Sequence, residues 1–284
     1  MMLNFAQKTS PDPKPAIRAY LGGSFNPVHN GHIQMAMTVF NQLKPIAERE
    51  NRKLYVELLP NARSPFKTDT IAPKHRLAML NLAVQNTPLG VSELEIWQAP
   101  PVFTIDTVRQ LRQSFPNDTL IFIMGMDSAA SLDNWRQGLN LTDFVQLWVF
   151  ERAADDALNV SANIETQIAK FPKALQAKVT TDLLAIIDPK LDLFTNFNQQ
   201  TFTLLKNKVT KQTFYPLKPL KNNTNGRIYL DLTPIITISS SIIRKRFANA
   251  FLTQKFSPDD FNLLNPLVYG YIIRHQLYSD PNFR

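Results

Sequence analysis

Two histidines near the start of the chain, His29 and His32, are spaced to act on one substrate group. Residues three apart lie on the same face of one helical turn, so both imidazoles can point at the same place. Such a pair can stabilise negative charge on a phosphate chain or bind a metal ion. No third ligand stands nearby, so the spacing does not predict a zinc site. Alone, the pattern also fits two unrelated surface histidines beside a loop.

The segment just before the histidines, residues 22–26, is rich in glycine and small polar residues. It follows a short apolar stretch at residues 17–21 that is typical of a buried strand, and residues 29–43 have helical spacing. Glycine lets a backbone approach a phosphate closely, and the N-terminus of a helix offers unpaired N–H groups and a positive dipole end. The strand, turn and helix therefore predict an anion-binding loop.

A second group of polar residues stands about 210 residues further on, where Ser239, Ser240 and Ser241 precede Arg244 by one helical turn. Hydroxyls at the start of a helix cap it and leave backbone N–H groups for an anion. An arginine can bind phosphate oxygens through two hydrogen bonds. Taken alone, the pattern is more often that of an ordinary serine cap followed by a surface arginine than that of an anion site, and both interpretations stay open.

The two motifs together resemble the signatures of the nucleotidyltransferase superfamily. The first is similar to Gly-Gly-(Ser/Thr)-Phe-Asp-Pro-x-His-x-Gly-His and reads Gly-Gly-Ser-Phe-Asn-Pro-Val-His-Asn-Gly-His from residue 22 to residue 32. Asn26 replaces the usual aspartate, and asparagine can also hold a turn through its side chain. The second is similar to Ile-Ser-Ser-Thr-x-Ile-Arg, with Ser241 in place of threonine. The resemblance implies three catalytic residues, His29, His32 and Arg244.

Further residues resemble the nicotinate-mononucleotide branch of that superfamily. The loop after the second expected strand reads Leu-Pro-Asn at residues 59–61 and Ser-Pro-Phe-Lys at residues 64–67, whose phenylalanine replaces a usual histidine. Phe103 and Thr104 resemble a Tyr-Thr pair that opens a helix, and Trp135 matches a tryptophan that stacks on the pyridine ring. The resemblance implies that nicotinate mononucleotide is bound by Ser24, Asn61, Lys67, Thr104 and Trp135.

Two other elements resemble those that bind ATP in this family. Gly-Met-Asp-Ser at residues 125–128 resembles an element that binds ribose hydroxyls, where a carboxylate is suitable because it accepts two hydroxyl protons. Alone, it is also an ordinary helix cap after a strand. Arg152 aligns with an arginine near the adenine. The resemblance implies that ATP is bound by Gly22, Gly23, Ser24, Phe25, His29, His32, Gly125, Asp127, Arg152, Ser239, Ser240 and Arg244.

The resemblance covers about residues 17–152 and 226–279. It implies that the chain joins nicotinate mononucleotide to the adenylyl group of ATP and releases pyrophosphate, a step of NAD biosynthesis. Mg²⁺ is expected to arrive with ATP, and no metal site of the protein itself is predicted. A sister enzyme, such as a pantetheine-phosphate adenylyltransferase or a cytidylyltransferase, would share both signatures but not the proline-asparagine pair, Thr104 and Trp135 together.

The elements that must position these residues alternate between strands and helices. Strands are expected at about 54–59, 91–96, 120–124, 145–150 and 228–232, and helices at about 73–85, 104–115, from 240 and 266–276. This alternation predicts the α/β class, a Rossmann-like doubly wound parallel sheet with helices on both faces. Ligands of such sheets bind at the carboxyl ends of the strands.

One domain is expected from residue 17 to residue 284, preceded by a flexible leader at residues 1–16 and interrupted by a basic insertion at about 156–225. Residues 163–187 within the insertion could be helical. Residues 161–230 carry ten Lys or Arg against four acids and so supply most of the net charge of +8. Such a charge favours anionic partners, so a nucleic-acid-binding protein that uses the insertion is the alternative of a different class.

Other classes are disfavoured by composition. The chain has no cysteine, which excludes disulfides, thiolate metal sites and cysteine nucleophiles. We find neither the apolar run of a signal peptide nor the roughly 18 apolar residues of a membrane span. We therefore expect a cytoplasmic enzyme whose partners are ATP and nicotinate mononucleotide, without membrane or nucleic-acid partners. Whether the protein forms homo-oligomers stays open.

Overall fold

The computed structural model describes residues 14–62, 71–151, 164–187, 226–256 and 262–280. Within these ranges, seven strands form one fully parallel sheet. The strands are β1 (Ile17–Gly23), β2 (Leu54–Pro60), β3 (Gly90–Val91), β4 (Thr119–Gly125), β5 (Gln146–Phe150), β6 (Val179–Thr180) and β7 (Ile228–Asp231). Their order across the sheet is β3-β2-β1-β4-β5-β7-β6.

Nine α-helices lie within the same ranges. They are α1 (Asn30–Glu50), α2 (Pro73–Val84), α3 (Thr104–Ser114), α4 (Met126–Ala129), α5 (Ile164–Ala169), α6 (Lys173–Gln176), α7 (Leu184–Ile187), α8 (Ser240–Thr253) and α9 (Pro266–Arg274). Two 3₁₀ helices, Leu132–Asn134 and Gly138–Asp143, lie between α4 and β5. No described helix has the length and apolar character that crossing a bilayer requires.

Two separate hydrophobic cores lie on the two faces of the sheet. Successive side chains of a strand point to opposite faces, and β4 shows this directly, because Ile121 and Ile123 join one core while Leu120 and Phe122 join the other. The first core is covered by α1, α2, α8 and α9, and the second by α3 and the 3₁₀ segments. The predicted fold class, a doubly wound parallel sheet with helices on both faces, is confirmed.

The strand order creates a crevice between β1 and β4. These strands are neighbours, yet α1, which follows β1, packs on one face, and α4 with the 3₁₀ helices, which follow β4, packs on the other. The connections therefore diverge at the carboxyl ends of β1 and β4, which is where open α/β sheets bind their ligands. The first motif follows β1 directly, and the Gly-Met-Asp-Ser element begins at the end of β4.

Two expectations differ from the structure. The strand expected at 91–96 ends at Val91, because Glu95 turns inwards to bond with Thr107 of α3 instead of alternating along a strand. Residues 164–187 of the insertion form three short helices and also β6, an edge strand that pairs with β7. This part of the insertion therefore contributes to the sheet. The leader up to residue 13 and residues 188–225 lie outside the described residues, and the single-domain organisation stays a prediction.

Candidate active site

The loop between β1 and α1, residues 24–29, is shaped by close packing under its backbone. A Cβ atom at Gly22 would collide with the ring of Phe122, so only glycine lets β1 end in this way. Phe25 is fully buried and has a φ of 46°, a left-handed conformation that is uncommon for an aromatic residue. Its ring meets His32 edge-on, with centroids 4.9 Å apart. The loop is thus held in one conformation next to the histidines.

His29 and His32 lie side by side at the start of α1. Their rings stack with centroids 3.6 Å apart, and His29 is buried whereas His32 is half-buried. The backbone N–H of His29 donates to Nδ1 of His32 at 3.2 Å. Because Nδ1 accepts this hydrogen bond, a neutral His32 carries its proton on Nε2, from which it can donate to an anion. The predicted shared face of the two histidines is confirmed.

The second motif docks directly on the first. Arg244 of α8 donates from Nη1 to the carbonyl oxygen of Asn26 at 2.8 Å, and the hydroxyl of Ser240 donates to the carbonyl oxygen of Pro27 at 3.0 Å. Ser239 caps α8, since its Oγ accepts from the N–H of Ile242 at 3.2 Å. The N-termini of α1 and α8 therefore begin against the same loop, although the sequence separates the motifs by more than 200 residues.

The connection before α8 is fixed by a side chain of α1. Gln34 accepts from the N–H of Ile236 at 2.7 Å and donates to the carbonyl oxygen of Pro234 at 3.2 Å. The carbonyl oxygen of Ile236 in turn lies where a side chain on residue 31 would begin, so the glycine between the two histidines makes room for this connection. The contact between the motifs is thus supported on both sides.

The residues expected to bind the second substrate come from three separate elements. Asn61 follows β2, and its N–H donates to the carbonyl oxygen of Gly23 at 3.0 Å. Thr104 is the first residue of α3, and Trp135 follows the first 3₁₀ helix and packs partly on the second core. Within the described part of the chain, no hydrogen bond joins Asn61, Thr104 and Trp135 to one another.

The start of α3 is tied to the segment before it by a buried carboxyl group. The hydroxyl of Thr107 donates to Oε1 of Glu95 at 2.5 Å, and Glu95 is 6% exposed. Burial raises the pKa of Glu95 to about 6, and the hydrogen bond from Thr107 opposes part of that rise. Arg136 lies outside this arrangement, largely exposed, with its guanidinium 4.7 Å above the ring of Phe103.

The ribose element also has the expected placement, since Gly125 is the N-cap of α4 and Asp127 lies exposed in its first turn. Two predicted contacts, Lys67 and Arg152, fall outside the described residues. No cluster of three or more His, Asp or Glu that could hold a metal ion occurs within the described ranges. The roles assigned to all these side chains remain predictions.

Sequence reasoning missed one charged residue, Arg76 of α2. It is fully buried and donates to the carbonyl oxygens of Ser24 and Ala62 and to Oδ1 of Asn61. The available signal was its spacing, because Arg76 lies in line with Met79 and Ala83 on the apolar face of α2. An arginine at such a position can be buried only where hydrogen-bond acceptors lie within reach of its guanidinium.

Comparison with known proteins identifies the family. Residues 20–246 match a family model described as cytidylyltransferase-like. A protein of Idiomarina loihiensis, described as a probable nicotinate-nucleotide adenylyltransferase, is 30% identical over 92% of this chain and 99% of its own length. One of Saccharophagus degradans with the same description is 31% identical over 91% of this chain and 94% of its own. The chain belongs to the nicotinate-nucleotide adenylyltransferase family.

Solved structures agree with this family in fold. The nicotinic acid mononucleotide adenylyltransferase of Plasmodium falciparum, in complex with NaAD, has a TM-score of 0.59 and 18% identity over 93% of this chain and 98% of its own. A second structure of that enzyme, complexed with APC, has a TM-score of 0.55 and 19% identity over the same shares of the two chains. At this level of sequence identity, the likeness to these two structures shows the fold alone.

Proposed function

We propose that this protein transfers the adenylyl group of ATP to nicotinate mononucleotide and releases pyrophosphate. The observation that carries the proposal is the direct contact between the two motifs. Through it, His29, His32 and Arg244 lie around one loop at the carboxyl edge of the sheet, with the N-termini of α1 and α8 beside them. Membership of the nicotinate-nucleotide adenylyltransferase family supports the choice of substrates.

The reaction needs no covalent intermediate on the protein. An oxygen of the acceptor's 5′-phosphate attacks the α-phosphorus of ATP, the bond from that phosphorus to the bridging oxygen breaks, and pyrophosphate leaves with the electron pair. Such a transfer depends on alignment and on stabilising the charge of the transition state. We assign charge stabilisation to the two histidines, and contacts with the outer phosphates to Ser239, Ser240 and Arg244.

The metal ion belongs with the substrate in this scheme. The described groups around the β1–α1 loop are imidazoles, hydroxyls, N–H groups and a guanidinium, which fit phosphate oxygens, whereas Mg²⁺ prefers oxygen ligands and water. We therefore propose that Mg²⁺ enters bound to ATP. Asp127, at the end of β4, would accept hydrogen bonds from ribose hydroxyls.

The acceptor side offers a short list of donors for the nicotinate carboxylate. The N–H of Asn61 is already bonded to Gly23, so it is not available. Thr104 and the N-terminus of α3 remain, and the helix dipole there favours an anion. Trp135 would stack on the pyridine ring but would not distinguish a carboxylate from an amide.

A pyrophosphate-release assay tests the proposal. ATP or CTP would be combined with nicotinate mononucleotide, nicotinamide mononucleotide, phosphopantetheine or no acceptor, and the product identified by mass spectrometry. We expect rapid release only with ATP and nicotinate mononucleotide, and nicotinate adenine dinucleotide as the product. Faster release with phosphopantetheine or with CTP would assign the chain to another transferase. Salt-sensitive nucleic-acid binding without any release would support the nucleic-acid alternative.

A further inference from the structure

Arg76 joins the β1–α1 loop to the segment that follows β2. Its Nη1 donates to the carbonyl oxygen of Ser24 at 2.9 Å and to Oδ1 of Asn61 at 3.3 Å, and its Nη2 donates to the carbonyl oxygen of Ala62 at 2.6 Å. Ser24 belongs to the β1–α1 loop, whereas Asn61 and Ala62 follow β2. A single planar guanidinium therefore fixes the distance between the loop proposed for ATP and the segment proposed for the acceptor.

The environment of Arg76 is unusual for a residue that only fills space. The side chain is completely buried, and no carboxylate among the described residues forms a salt bridge with it. Burial lowers its pKa, while the nearby Tyr278 acts in the opposite direction. A buried cation with only neutral acceptors is costly, and an apolar side chain would pack here without that cost. An apolar residue could not hold these acceptors in fixed positions, and the planar guanidinium does so.

Tyr278 holds the same loop from another element. It is almost completely buried, and its hydroxyl donates to Oδ1 of Asn26 at 3.0 Å. Burial raises its pKa far above the ordinary value, so the hydroxyl keeps its proton and stays a donor. Tyr278 has a φ of 68°, and backbone strain of this kind persists only where the surroundings enforce it.

We infer that Arg76 and Tyr278 are positioning residues of the adenylyl transfer proposed above, on which this inference rests. Arg76 sets the placement of the acceptor segment relative to the β1–α1 loop, and Tyr278 sets the side chain of Asn26 within that loop. Neither residue touches substrate. Arg76 acts through Ser24 and Asn61, and Tyr278 acts through Asn26, whose carbonyl oxygen also receives Arg244.

The test compares conservative variants with matched controls. Arg76→Lys keeps a cation but cannot bridge three acceptors, and we expect kcat to fall about a hundredfold, since a misplacement of about 1 Å has effects of that size. The dissociation constant of ATP should change less than about threefold, because the loop itself remains held by Arg244. Arg112→Lys is the control, because Arg112 also donates to several carbonyl oxygens, among them those of Phe144 and Asp118, at the opposite edge of the sheet.

Tyr278→Phe removes only a hydroxyl and tests the other contact. We expect ATP binding, measured by calorimetry without acceptor, to weaken about tenfold, because the loop loses the buried hydrogen bond from Tyr278 to Asn26. Tyr271→Phe is the control, since it loses a comparable hydroxyl contact with His75 at 3.0 Å on the neighbouring helix. Both control variants should lose thermal stability without changing kcat or ATP binding.

The outcomes separate the two proposals. If folded Arg76→Lys and Tyr278→Phe change kcat and ATP binding no more than their controls do, the positioning role is wrong. If Arg76→Lys does not fold, Tyr278→Phe decides the question by itself. If wild-type protein binds ATP but releases no pyrophosphate with nicotinate mononucleotide, the proposed function fails, and the calorimetric effect of Tyr278→Phe still tests the positioning of the loop.

Discussion

On the nucleotide side of the crevice, two segments from opposite ends of the chain bond directly to each other, whereas on the acceptor side the proposed residues stand on three elements. Arg244 and Ser240 donate straight into the β1–α1 loop. Asn61 depends instead on Arg76 for its placement, the start of α3 at Thr104 depends on Glu95 through Thr107, and Trp135 packs against the second core. Two compact motifs therefore form the proposed nucleotide side, while the proposed acceptor side depends on the relative positions of whole elements.

The difference between the two sides has a kinetic consequence. Substitutions on the nucleotide side should act mainly on kcat, because its groups meet the phosphates as charge develops. Substitutions of the acceptor-side residues proposed to contact substrate should act mainly on KM or on discrimination, because those groups contact parts of the substrate that do not react, whereas the alignment set by Arg76 should affect kcat. The following experiments test whether that division holds.

The largest effect is expected on the nucleotide side. His29→Ala or His32→Ala should lower kcat about a hundredfold or more, the usual cost of removing a charge-stabilising donor. The other two histidines provide the control, since His275 is exposed and pairs with His75 away from the loop. His275→Ala should keep full turnover. Near-normal kcat in a folded His29→Ala, His32→Ala double variant would refute the site.

An effect no larger than that is expected on kcat/KM when the carboxylate of the acceptor is replaced by an amide. The ratio of kcat/KM for nicotinate mononucleotide over nicotinamide mononucleotide should be about a hundred or more, because two charge-assisted hydrogen bonds at about 1.5–3 kcal/mol each favour the carboxylate. Both values would be measured at saturating ATP. Equal values, or a preference for the amide, would show that the N-terminus of α3 does not read the carboxylate.

Removing the ring on the acceptor side should act on binding. Trp135→Ala should raise the KM for nicotinate mononucleotide about thirtyfold, in keeping with about 1–3 kcal/mol for stacking of an aromatic side chain on a base. Its kcat should fall far less than in the histidine variants. Trp97, an exposed tryptophan in the segment before α3, is the matched control, and Trp97→Ala should leave KM unchanged. If Trp135→Ala lowered kcat alone, the division between kcat effects on the nucleotide side and KM effects on the acceptor side would be wrong.

The smallest effect on turnover is expected at Glu95, whose role is to support α3. Its pKa in the folded protein is about 6, above the ordinary 4.5, so folding favours the protonated form. The stabilisation is complete below pH 4.5 and is lost as the pH rises through 6, by about 2 kcal/mol for a rise of this size. Glu95→Gln keeps an acceptor for Thr107 and should remove this pH dependence.

Denaturant unfolding of Glu95→Gln and wild type between pH 4.5 and pH 8 measures that difference. The variant should gain in relative stability up to about pH 6 and then stay level. A difference in stability that does not change with pH would mean that Glu95 ionises as in the unfolded chain. Turnover at pH 8 should be within about threefold of wild type, since the bond to Thr107 is kept.

The sequence predicted the reactive edge better than its supports, for physical reasons. His29 is the N-cap of α1 and His32 is its third residue, so the local geometry of the helix start brings the two rings together at this spacing. The contact between Arg244 and Asn26 depends on the order of the strands in the sheet. The sequence already suggested that the two motifs would meet, because both follow strands whose carboxyl ends lie at the same edge of a parallel sheet. Arg76 could not be assigned, because two of its three acceptors are backbone carbonyl oxygens, which carry no sequence signal. Glu95 was misread as a strand residue, because its alternation with apolar neighbours resembles a strand until Thr107 is placed opposite it.

The contacts of Asn26 also determine when this protein becomes competent during its synthesis. The first 150 residues supply five adjacent strands of the sheet and can pair with one another early. Arg244 and Tyr278 bind Asn26 but are synthesised much later, since they follow it by 218 and 252 residues. At about 5–20 residues per second, that interval is tens of seconds on the ribosome. On the proposed function, ATP would therefore stabilise the chain fully only after Arg244 and Tyr278 have been synthesised, and a shorter nascent chain would gain less protection from the nucleotide.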